Sequence, residues 1–445
     1  MRRLFLYITL LIGYVPLANA QEIDSTEDAE DVSVREQPTI EEDNDEIVSI
    51  PHYIKNNFNH IIFNGSDWSE IRKSLSNVNT EPFSIVHIGD SHLQADISTS
   101  VVRQNLQLDY GNAGRGLITP LRMSGTNQPR DYGFSSTQSW SAAKLMKWPW
   151  QHTMGFTGTS VSPNQRQSHI AVSTSNANDY NPFSSVTLFH NGKLNVTRVE
   201  DRDGRLIMFS ATPSQDYTHI ELSRSQDYVK IYFDSAGDMT LFGANLSGNR
   251  PGIFYHVIGN NGAAYSTYNR IGNVGKGIAP LNPDLVIISL GTNEAFGRRN
   301  ISDFTKAIDR LVTSVKEENP KAQILLVTPM ECQKSTYSTV NKTIKGKSRK
   351  GKKRGRSRVV KKKIKSYTVN ENILPLRNAI LTYGKDHSIA VYDWYQVAGG
   401  SGASALWLGD KLYGSDRIHH TYKGYHLQGQ LFYEALSEAL KGNNN

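Results

Sequence analysis

The stretch Phe83-Ser84-Ile85-Val86-His87-Ile88-Gly89-Asp90-Ser91-His92-Leu93-Gln94-Ala95-Asp96 decides how the rest of this chain is interpreted. The run from Phe83 to Ile88 has the length and β-branched content of a buried parallel strand. A Gly-Asp-Ser turn ends it, and a helix is predicted over roughly Ser98 to Leu108. Ser91 would lie between strand and helix, where open α/β sheets build sites and helix dipoles favour negative charge. Gly, Asp and Ser also start ordinary helices, so this stretch alone leaves a simple N-cap turn open.

The same alternation of buried strands and helices returns after Gly252. It predicts strands over Ile253–Ile258, Leu285–Leu290, Ile324–Val327 and Ile389–Tyr392, and helices near Ser66, over Ser302–Lys316 with Ser302 as the cap, and over Tyr425–Leu440. Strands and helices that alternate in this way form a parallel, doubly wound sheet. The sequence therefore predicts an α/β fold.

The hydrophobic pattern changes between about Leu117 and Arg250, where helical periodicity disappears. Short alternating segments such as Val229 to Phe233 stand between turn residues, and Asn191-Gly192 is a hairpin-type turn signal. This pattern predicts a small β-sandwich inserted into the α/β domain. Three tryptophans in it have two open interpretations, sugar stacking or core packing: Trp140, Trp148 and Trp150.

The first twenty residues predict a secretory signal peptide. Arg2 and Arg3 precede the apolar stretch Leu4 to Leu17, and Ala18-Asn19-Ala20 offers a small-residue cleavage site. A buried N-terminal helix is the alternative. No Cys follows the cleavage site for lipid attachment, and no later run is long enough to span a membrane. We therefore expect a secreted or periplasmic protein without a transmembrane segment after cleavage.

Charge is distributed very unevenly along the chain. Residues 21–48 hold 12 acidic residues and only Arg35, which predicts an acidic disordered linker over 21–50. The segment from Lys342 to Lys365 holds 14 Lys and Arg and no acid. We predict a basic disordered loop over 342–366, with contact to anionic envelope polymers as the alternative. Without these stretches and Arg2 and Arg3 the remaining chain has a net charge of only +2, so no nucleic-acid partner is expected.

Metal and disulfide chemistry have little support in the sequence. The single Cys332 rules out an intramolecular disulfide and leaves no cysteine cluster for structural zinc; it follows an apolar strand, which predicts a buried thiol. No His-Glu-x-x-His stretch occurs, so no cofactor or metal is expected. The sequence contains no P-loop, because no Gly-Lys-Ser/Thr closes the glycine-rich loop from Tyr110 to Gly116.

Acyl transfer needs a nucleophile, a base, a carboxylate that orients the base, and oxyanion donors. Four polar blocks of the sequence supply these groups, and they contain Ser91, Gly262, Asn293 and the pair Asp416 and His419. Ser91 would attack, His419 would take its proton, and Asp416 three residues earlier would hold the other ring nitrogen. The predicted oxyanion donors are the amides of Ser91 and Gly262 and the side chain of Asn293. The substrate-binding residues stay unknown.

These blocks, in this order, resemble those of the SGNH, or GDSL-type, hydrolase superfamily. Gly89-Asp90-Ser91-His92, Gly111-Asn112-Ala113-Gly114, Gly291-Thr292-Asn293-Glu294-Ala295 and the β-rich insert resemble bacterial peptidoglycan O-acetylesterases. The resemblance implies a flavodoxin-like three-layer α/β/α catalytic domain over 51–116 and 251–445, interrupted by a β-rich insert over 117–250. Whether this insert binds carbohydrate stays open. The histidines at 92 and 420 and the glutamate at 294 depart from the superfamily's common pattern. We expect His87 and His92 to pack rather than bind metal, and His420 to flank the site or face the substrate.

The resemblance implies an exported, metal-independent serine esterase that removes O-acetyl groups from a cell-envelope glycan, with peptidoglycan favoured. Three alternatives stay open: a glycan O-acetyltransferase, an esterase for another acetylated polysaccharide, and a non-catalytic glycan-binding protein. A generic lipase is disfavoured because the chain lacks a Gly-x-Ser-x-Gly elbow. The oligomeric state is not predicted.

Overall fold

The computed structural model describes residues 49–174, 181–235, 237–298, 300–344 and 358–442. The predicted signal peptide over 1–20 and the predicted acidic linker up to residue 48 lie outside the described residues. Nineteen strands are described: β1 Ile61–Ile62, β2 Phe83–Gly89, β3 Gly116–Ile118, β4 Gly133–Ser135, β5 Trp140–Lys144, β6 Thr159–Pro163, β7 Gln167–Ser173, β8 Phe183–Asn191, β9 Leu194–Glu200, β10 Phe209–Pro213, β11 Tyr217–Gln226, β12 Tyr228–Ser235, β13 Thr240–Ser247, β14 Ile253–Gly259, β15 Leu285–Ser289, β16 Gln323–Val327, β17 Gln333–Ile344, β18 Arg358–Val369 and β19 Ala390–Tyr392.

Ten α-helices are described within the same residues: α1 Ser69–Ser76, α2 Ser91–Gln94, α3 Ile97–Tyr110, α4 Tyr265–Tyr268, α5 Val274–Ile278, α6 Ile301–Glu318, α7 Ile373–Asp386, α8 Trp394–Val397, α9 Ala403–Gly409 and α10 Tyr422–Lys441. Short 3₁₀ turns cover Asn56–Phe58, Asn269–Ile271, Ala279–Leu281 and Glu294–Phe296. Within the described ranges, no helix combines the length and the apolar character that a membrane crossing requires.

The central sheet has the strand order β1-β19-β16-β15-β2-β14. All neighbouring pairs are parallel except the short edge strand β1, which runs antiparallel to β19. Along the chain, the five parallel strands follow the order 2-1-3-4-5 of the flavodoxin-like sheets. The order reverses between β2 and β15, so a ligand crevice is expected outside the carboxyl ends of these two strands. The predicted α/β fold class with a doubly wound parallel sheet is confirmed.

Both faces of this sheet are covered, which explains why its strands are nearly continuously apolar. Phe83 and Ile85 of β2 pack into one core with Trp68, Trp407 and residues of α3 and α10. Val86 and Ile88 point to the other face and pack with residues of α4 to α7. Buried Cys332 lies in this second core, as its apolar surroundings predicted.

The segment between the two parts of the α/β fold forms antiparallel sheets. A seven-stranded sheet contains β10-β11-β8-β13-β6-β5 with β3 paired to β13, and a four-stranded sheet has the order β4-β7-β12-β9. The two sheets enclose a core of alternating residues that includes Phe134, Val186, Ile231 and Leu241. Half-buried and buried residues alternate along β12, and Val229, Ile231 and Phe233 are among the buried ones. These sheets form the additional β-rich part of the fold; the proposed boundaries at 117 and 250 stay predictions.

The basic segment differs from its prediction. Instead of a disordered loop, residues 342–344 and 358–366 belong to β17 and β18, which pair antiparallel over their full lengths. Residues 345–357 lie outside the described residues. The lysines of β18 stand opposite uncharged residues of β17, such as Thr339 opposite Lys363 and Tyr337 opposite Lys365. Because like charges do not face each other across the ladder, and Tyr, Thr, Val and Ile favour strands, the charge run is compatible with a hairpin.

Two helix boundaries also differ from the sequence prediction. Asn300, not Ser302, caps α6, because its side chain accepts a hydrogen bond from the Asp303 amide. Helix α10 begins at Tyr422, and Thr421 caps it through the Gly424 amide. The sequence pattern marks the periodic apolar face of these helices more clearly than the capping residue.

Candidate active site

Ser91 lies at the carboxyl end of β2, next to the reversal of strand order. Strand β2 ends at Gly89, and Ser91 begins the short helix α2. Asp90 between them caps this turn by accepting a hydrogen bond from the His92 amide at 3.0 Å. The buried strand and the capped turn together hold the Ser91 hydroxyl at the rim of the sheet.

Asp416 and His419 occupy a tight turn between α9 and α10. His419 Nδ1 lies 2.6 Å from Asp416 Oδ2, and His419 Nε2 lies 2.8 Å from Ser91 Oγ. The other carboxylate oxygen of Asp416 accepts the amides of Ile418 and His419 at 2.9 and 3.0 Å. The turn requires a left-handed residue, and Arg417 takes this conformation with φ of +63°. The structure thus brings the predicted nucleophile, base and orienting carboxylate into one hydrogen-bonded chain.

The environment of Asp416 favours its charged form. Burial acts to raise the pKa of this carboxyl group, but the hydrogen bond and charge of His419 and the two backbone amides outweigh burial and hold the pKa below its ordinary value. Asp416 is therefore an ionised partner for His419 at neutral pH. A carboxylate in this position fixes the proton on Nδ1 and leaves Nε2 free to accept the hydroxyl proton of Ser91.

The two neighbouring histidines are not placed to serve as the base. The ring of His92 lies 5.3 Å from that of His419, and its Nδ1 is 3.1 Å from the Tyr425 hydroxyl. Burial lowers the pKa of His92 to about 3. His420 is 1% exposed and contacts the rings of Trp407, Tyr413 and Tyr425. The expectation that His420 faces the substrate is wrong, because its side chain points into this aromatic cluster.

His87 belongs to the core below the site. Its Nδ1 lies 2.8 Å from the Tyr255 hydroxyl and its Nε2 lies 2.6 Å from Ser289 Oγ. Burial lowers the pKa of His87 to about 3, so the ring is neutral. Across the described part of the chain, no group of three or more His, Cys, Asp or Glu side chains is arranged to hold a metal ion.

The predicted oxyanion donors come from three loops at the same rim. Asn293 follows β15, and its Nδ2 donates to Asp90 Oδ2 at 3.2 Å and to the Ala263 carbonyl at 2.9 Å. These contacts orient the amide between the Ser91 turn and the Gly262 loop. Gly262 has φ of +79°, a conformation that favours glycine. Ser91 and Gly262 stand on the two loops that Asn293 joins, and their roles as donors stay predictions.

Gln94 connects these loops, and the sequence prediction missed it. Its Oε1 accepts the Asn261 amide at 2.7 Å, and its Nε2 donates to the Asn127 carbonyl at 3.0 Å. Gln94 stands on the same short helix as Ser91, so it ties the nucleophile to the Gly262 loop and to a loop of the β-rich part. No motif signals this role, because a buried glutamine at a helix end becomes meaningful only once the loops around it are known.

Burial raises the pKa values of two carboxyl groups near Ser91 toward neutrality. Burial raises the pKa of Asp90 to about 6, although the His92 amide and His419 act to lower it. Burial also raises the pKa of Glu294 to about 7, against the lowering effect of the Tyr265 amide that its Oε1 accepts at 2.8 Å. Both groups act on the site through their neighbours: Asp90 holds Asn293, and Glu294 holds the start of α4.

A second loop of the β-rich part, which contains Met146, also borders the site. A side chain built on Gly262 would come within 3.5 Å of the Met146 side chain, so Met146 lies directly beside the Gly262 loop. Trp148, on the same loop, is 58% exposed. Trp150 is partly buried and donates its indole N–H to the carbonyls of Lys144 and Leu145, and Trp140 packs edge-on against Phe233. Of the three tryptophans considered for sugar stacking, Trp148 offers the exposed ring.

The base of the β17–β18 hairpin contacts the Asp416–His419 turn. The Gln333 amide donates to the Arg417 carbonyl at 3.0 Å, and Arg417 Nη1 donates to Gln333 Oε1 at 2.8 Å. The Arg417 guanidinium also lies 3.9 Å from the centroid of the Tyr367 ring. The hairpin is therefore joined to the residue between the candidate carboxylate and the candidate base.

Comparisons with known proteins agree with this arrangement. Residues 234–427 match the GDSL-like Lipase/Acylhydrolase family. The match includes Gly262, Asn293, Asp416 and His419, while Ser91 lies before it, on the other side of the β-rich part. No curated protein matches the chain.

Among solved structures, one described as "Peptidoglycan O-acetylesterase in action, 5 min" matches with a TM-score of 0.65 and 18% identity over 86% of this chain and 99% of the other. A lipase/acylhydrolase from Enterococcus faecalis matches with a TM-score of 0.28 and 18% identity over 42% of this chain and 78% of the other. A family two carbohydrate esterase from Clostridium thermocellum matches with a TM-score of 0.28 and 11% identity over 70% of this chain and 99% of the other. Only the first likeness carries weight, and at 18% identity it concerns the fold.

The fold and the family match support an acylhydrolase of the SGNH type. The recognition made from the four sequence blocks is confirmed, since the chain resembles SGNH hydrolases in sequence over 234–427 and a peptidoglycan O-acetylesterase in fold.

Proposed function

We propose that this protein is an exported, metal-independent serine esterase that removes O-acetyl groups from a cell-envelope glycan, with peptidoglycan as the favoured substrate. The observation that carries the proposal is the unbroken chain of hydrogen bonds from Asp416 through His419 to Ser91 Oγ. The signal-like pattern of residues 1–20 supports export.

The chemistry follows from the geometry. Ser91 Oγ attacks the acetyl carbonyl while His419 Nε2 accepts the hydroxyl proton, and the resulting imidazolium is stabilised by Asp416. The amides of Ser91 and Gly262 stabilise the negative charge on the former carbonyl oxygen, and Asn293 Nδ2 joins them by exchanging its 3.2 Å hydrogen bond to Asp90 Oδ2 for one to this oxygen. The bond from the acetyl carbon to the sugar oxygen then breaks, and His419 gives its proton to this oxygen, so the sugar leaves as an alcohol and Ser91 stays acetylated. Water, deprotonated by His419, then attacks the acetyl group, and acetate leaves as Ser91 regains its proton.

Three features support an acetylated glycan as the substrate. The solved structure with the similar fold is a peptidoglycan O-acetylesterase, and this chain covers 99% of it. Met146 places an apolar side chain beside the Gly262 loop, which suits the methyl group of an acetyl ester. Trp148 on the same loop exposes an aromatic ring of the kind that stacks on sugars.

The alternatives predict different acceptors or no chemistry at all. An O-acetyltransferase would use the same acetyl-enzyme and pass the group to a sugar hydroxyl, and no observation on this site favours sugar over water. A non-catalytic glycan-binding protein would have no need for the ionised Asp416 and the aligned His419. Hydrolysis is the simplest reaction that uses every group in the site.

The decisive experiment measures acetate release from O-acetylated peptidoglycan, from acetylated xylan and from a chromogenic acetyl ester by the wild type and by Ser91→Ala. We expect release from peptidoglycan by the wild type and a loss of at least about 10⁴-fold in the variant, with unchanged thermal unfolding. Ser76→Ala is the matched control, because Ser76 is exposed at the end of α1 and its hydroxyl contacts only the Lys73 carbonyl. Undiminished turnover by Ser91→Ala would reject the mechanism, and a preference for xylan would reject the peptidoglycan assignment.

A further inference from the structure

The β17–β18 hairpin carries a row of cations and aromatic rings on one face. Residues directly opposite each other across a ladder lie on the same face, and successive residues of a strand alternate between faces. The ladder pairs Lys365 with Tyr337, Lys363 with Thr339 and Lys361 with Asn341. Lys361, Lys363 and Lys365 therefore share a face with Tyr337 and with Tyr367. We call this surface the lysine face.

The opposite face has a different composition. It carries Val340, Ile344, Val360 and Ile364 together with Lys334, Lys342 and Lys362. Lys342 and Lys362 each stand directly opposite an apolar residue, Val360 and Val340, whereas the lysines of the lysine face stand opposite Asn341, Thr339 and Tyr337. The lysine face instead repeats a cation at every second position of β18, a spacing of about 7 Å.

The lysine face leads toward the candidate active site. Lys365 Nζ lies 4.9 Å from the centroid of the Tyr367 ring, and the Arg417 guanidinium lies 3.9 Å from the same centroid. Arg417 in turn stands between Asp416 and His419. The positive charges therefore form a continuous series from the β17–β18 hairpin to the turn that holds the candidate base.

The lysines of this face are exposed, and acidic side chains are lacking on both described strands. Tyr337 is also exposed, at 56%. The described surface therefore combines unneutralised ammonium groups, at a regular spacing, with aromatic rings. This composition complements a polymer that presents carboxylates and sugar rings in alternation.

We propose that the lysine face binds a carboxylate-bearing glycan strand and guides it to Ser91. The inference rests on the proposed function, because it names the polymer class that the esterase site receives. The carboxylates pair with Lys361, Lys363 and Lys365, while the sugar rings contact Tyr337 and Tyr367. A glycan strand bound along the lysine face meets Arg417 at the edge of the active site, and its acetyl groups are delivered to Ser91 in succession.

The test compares two triple variants of the full chain that remove the same charge from opposite faces. One is Lys361→Gln with Lys363→Gln and Lys365→Gln, and the control is Lys334→Gln with Lys342→Gln and Lys362→Gln. Binding is measured by co-sedimentation with insoluble O-acetylated peptidoglycan, in a Ser91→Ala background so that turnover does not alter the polymer. We expect about tenfold weaker binding for the lysine-face variant and less than a twofold change for the control. Raising the salt concentration should weaken the wild type and leave little further effect on the lysine-face variant.

Competition measurements identify the class of ligand. Soluble polygalacturonate, which carries carboxylates, should compete for binding to the wild type, and neutral xylan should not. Equal losses in the two triple variants would overturn the proposal, because the effect would then be one of net charge. Stronger competition by double-stranded DNA than by polygalacturonate would also overturn it and would indicate a nucleic-acid surface.

The catalytic readout separates this proposal from the proposed function. The ratio of acetate release from peptidoglycan to hydrolysis of a chromogenic acetyl ester should fall about tenfold in the lysine-face variant. If the wild type hydrolyses neither substrate yet binds peptidoglycan through the lysine face, the esterase proposal fails and the binding face stands. If it hydrolyses both and the ratio is the same in all variants, the binding face fails and the esterase stands.

Discussion

His419 Nε2 lies 2.8 Å from Ser91 Oγ although 328 residues separate the two in sequence. Two independent parts of the fold create this contact. Strand β2 and its capped turn hold Ser91 at the rim of the sheet, and the turn before α10 holds His419 through Asp416. Neither residue has to move for the proton transfer, so the site is preorganised for nucleophilic attack.

Asp416→Asn should lower kcat by about 10⁴-fold with little loss of stability. The asparagine carbonyl can keep accepting the amides of Ile418 and His419, which places its NH₂ group against His419 Nδ1. The ring would then carry its proton on Nε2 and could not accept one from Ser91. Steady-state kinetics on a chromogenic acetyl ester measure the loss, and thermal unfolding checks the fold. A variant that retains more than a tenth of the wild-type kcat would show that Asp416 does not set the tautomer.

Asn293→Ala should lower kcat by about 10²- to 10³-fold and leave KM nearly unchanged, because an oxyanion donor acts mainly in the transition state. The change also leaves Asp90 without the Asn293 donor. Asn269→Ala is the matched control: its Nδ2 donates to the Ala307 carbonyl at 2.9 Å, as that of Asn293 does to Ala263, but it stands beyond α4. If both variants lose activity equally, the effect of Asn293 is structural rather than catalytic.

Part of this site could be predicted from the sequence, and the reason is the sheet. Ser91, Gly262 and Asn293 each follow an apolar strand, and carboxyl ends of parallel strands meet at one edge. The proximity of Asp416 and His419 follows from their three-residue separation. The structure brings all five together, and their catalytic roles stay predictions.

What the sequence could not reveal depends on contacts between distant segments. Gln94 lacks any motif, and its function as a tie appears only when Asn261 and Asn127 lie beside it. His420 resembles a second site histidine by position, but its neighbours Trp407 and Tyr425 make it part of a buried cluster. The charge of the basic segment favours a disordered loop, whereas the Val, Ile and Tyr residues that flank its lysines in β18 favour a strand.

Glu294→Gln should stabilise the protein at high pH. The pKa of Glu294 is raised from 4.5 to about 7 in the folded protein, so between these values the folded state holds a proton that the unfolded state has lost. The stabilisation that the proton on Glu294 contributes is therefore fully present below pH 4.5 and is lost as the pH rises through 7. This loss lowers the free energy of unfolding by about 3 kcal/mol. The glutamine keeps an acceptor for the Tyr265 amide and cannot ionise. Asp416, whose folded pKa is lowered, contributes with the opposite sign and at lower pH.

Denaturant unfolding at pH 4, 6 and 8 measures this effect. We expect equal free energies of unfolding for Glu294→Gln and the wild type at pH 4, and a higher value for the variant at pH 8. Glu317→Gln, at an exposed position of α6, is the control and should follow the wild type throughout. Parallel curves for all three proteins would show that Glu294 is not held protonated by the fold.

Gly259→Ala should lower kcat by about 10- to 100-fold through the position of Ser91. A Cβ at residue 259 would stand 2.5 Å from the Gln94 amide nitrogen and 2.7 Å from the Leu93 carbonyl carbon, both backbone atoms of α2. Since backbone cannot rotate away, α2 must shift by a substantial fraction of an ångström, and Ser91 at its start shifts with it. Displacements of this size disturb the alignment of a nucleophile with its base and can lower the reaction rate by orders of magnitude.

Gly409→Ala is the matched control, since nothing lies within 4 Å of a Cβ there. The rate of inactivation by a serine-directed phosphonate reports the nucleophile directly and should fall in parallel with kcat for Gly259→Ala, even when the variant is assayed well below its unfolding temperature. An unchanged inactivation rate would mean that α2 absorbs the methyl group without moving Ser91. The close approach of β14 to α2 would then be a packing feature without consequence for catalysis.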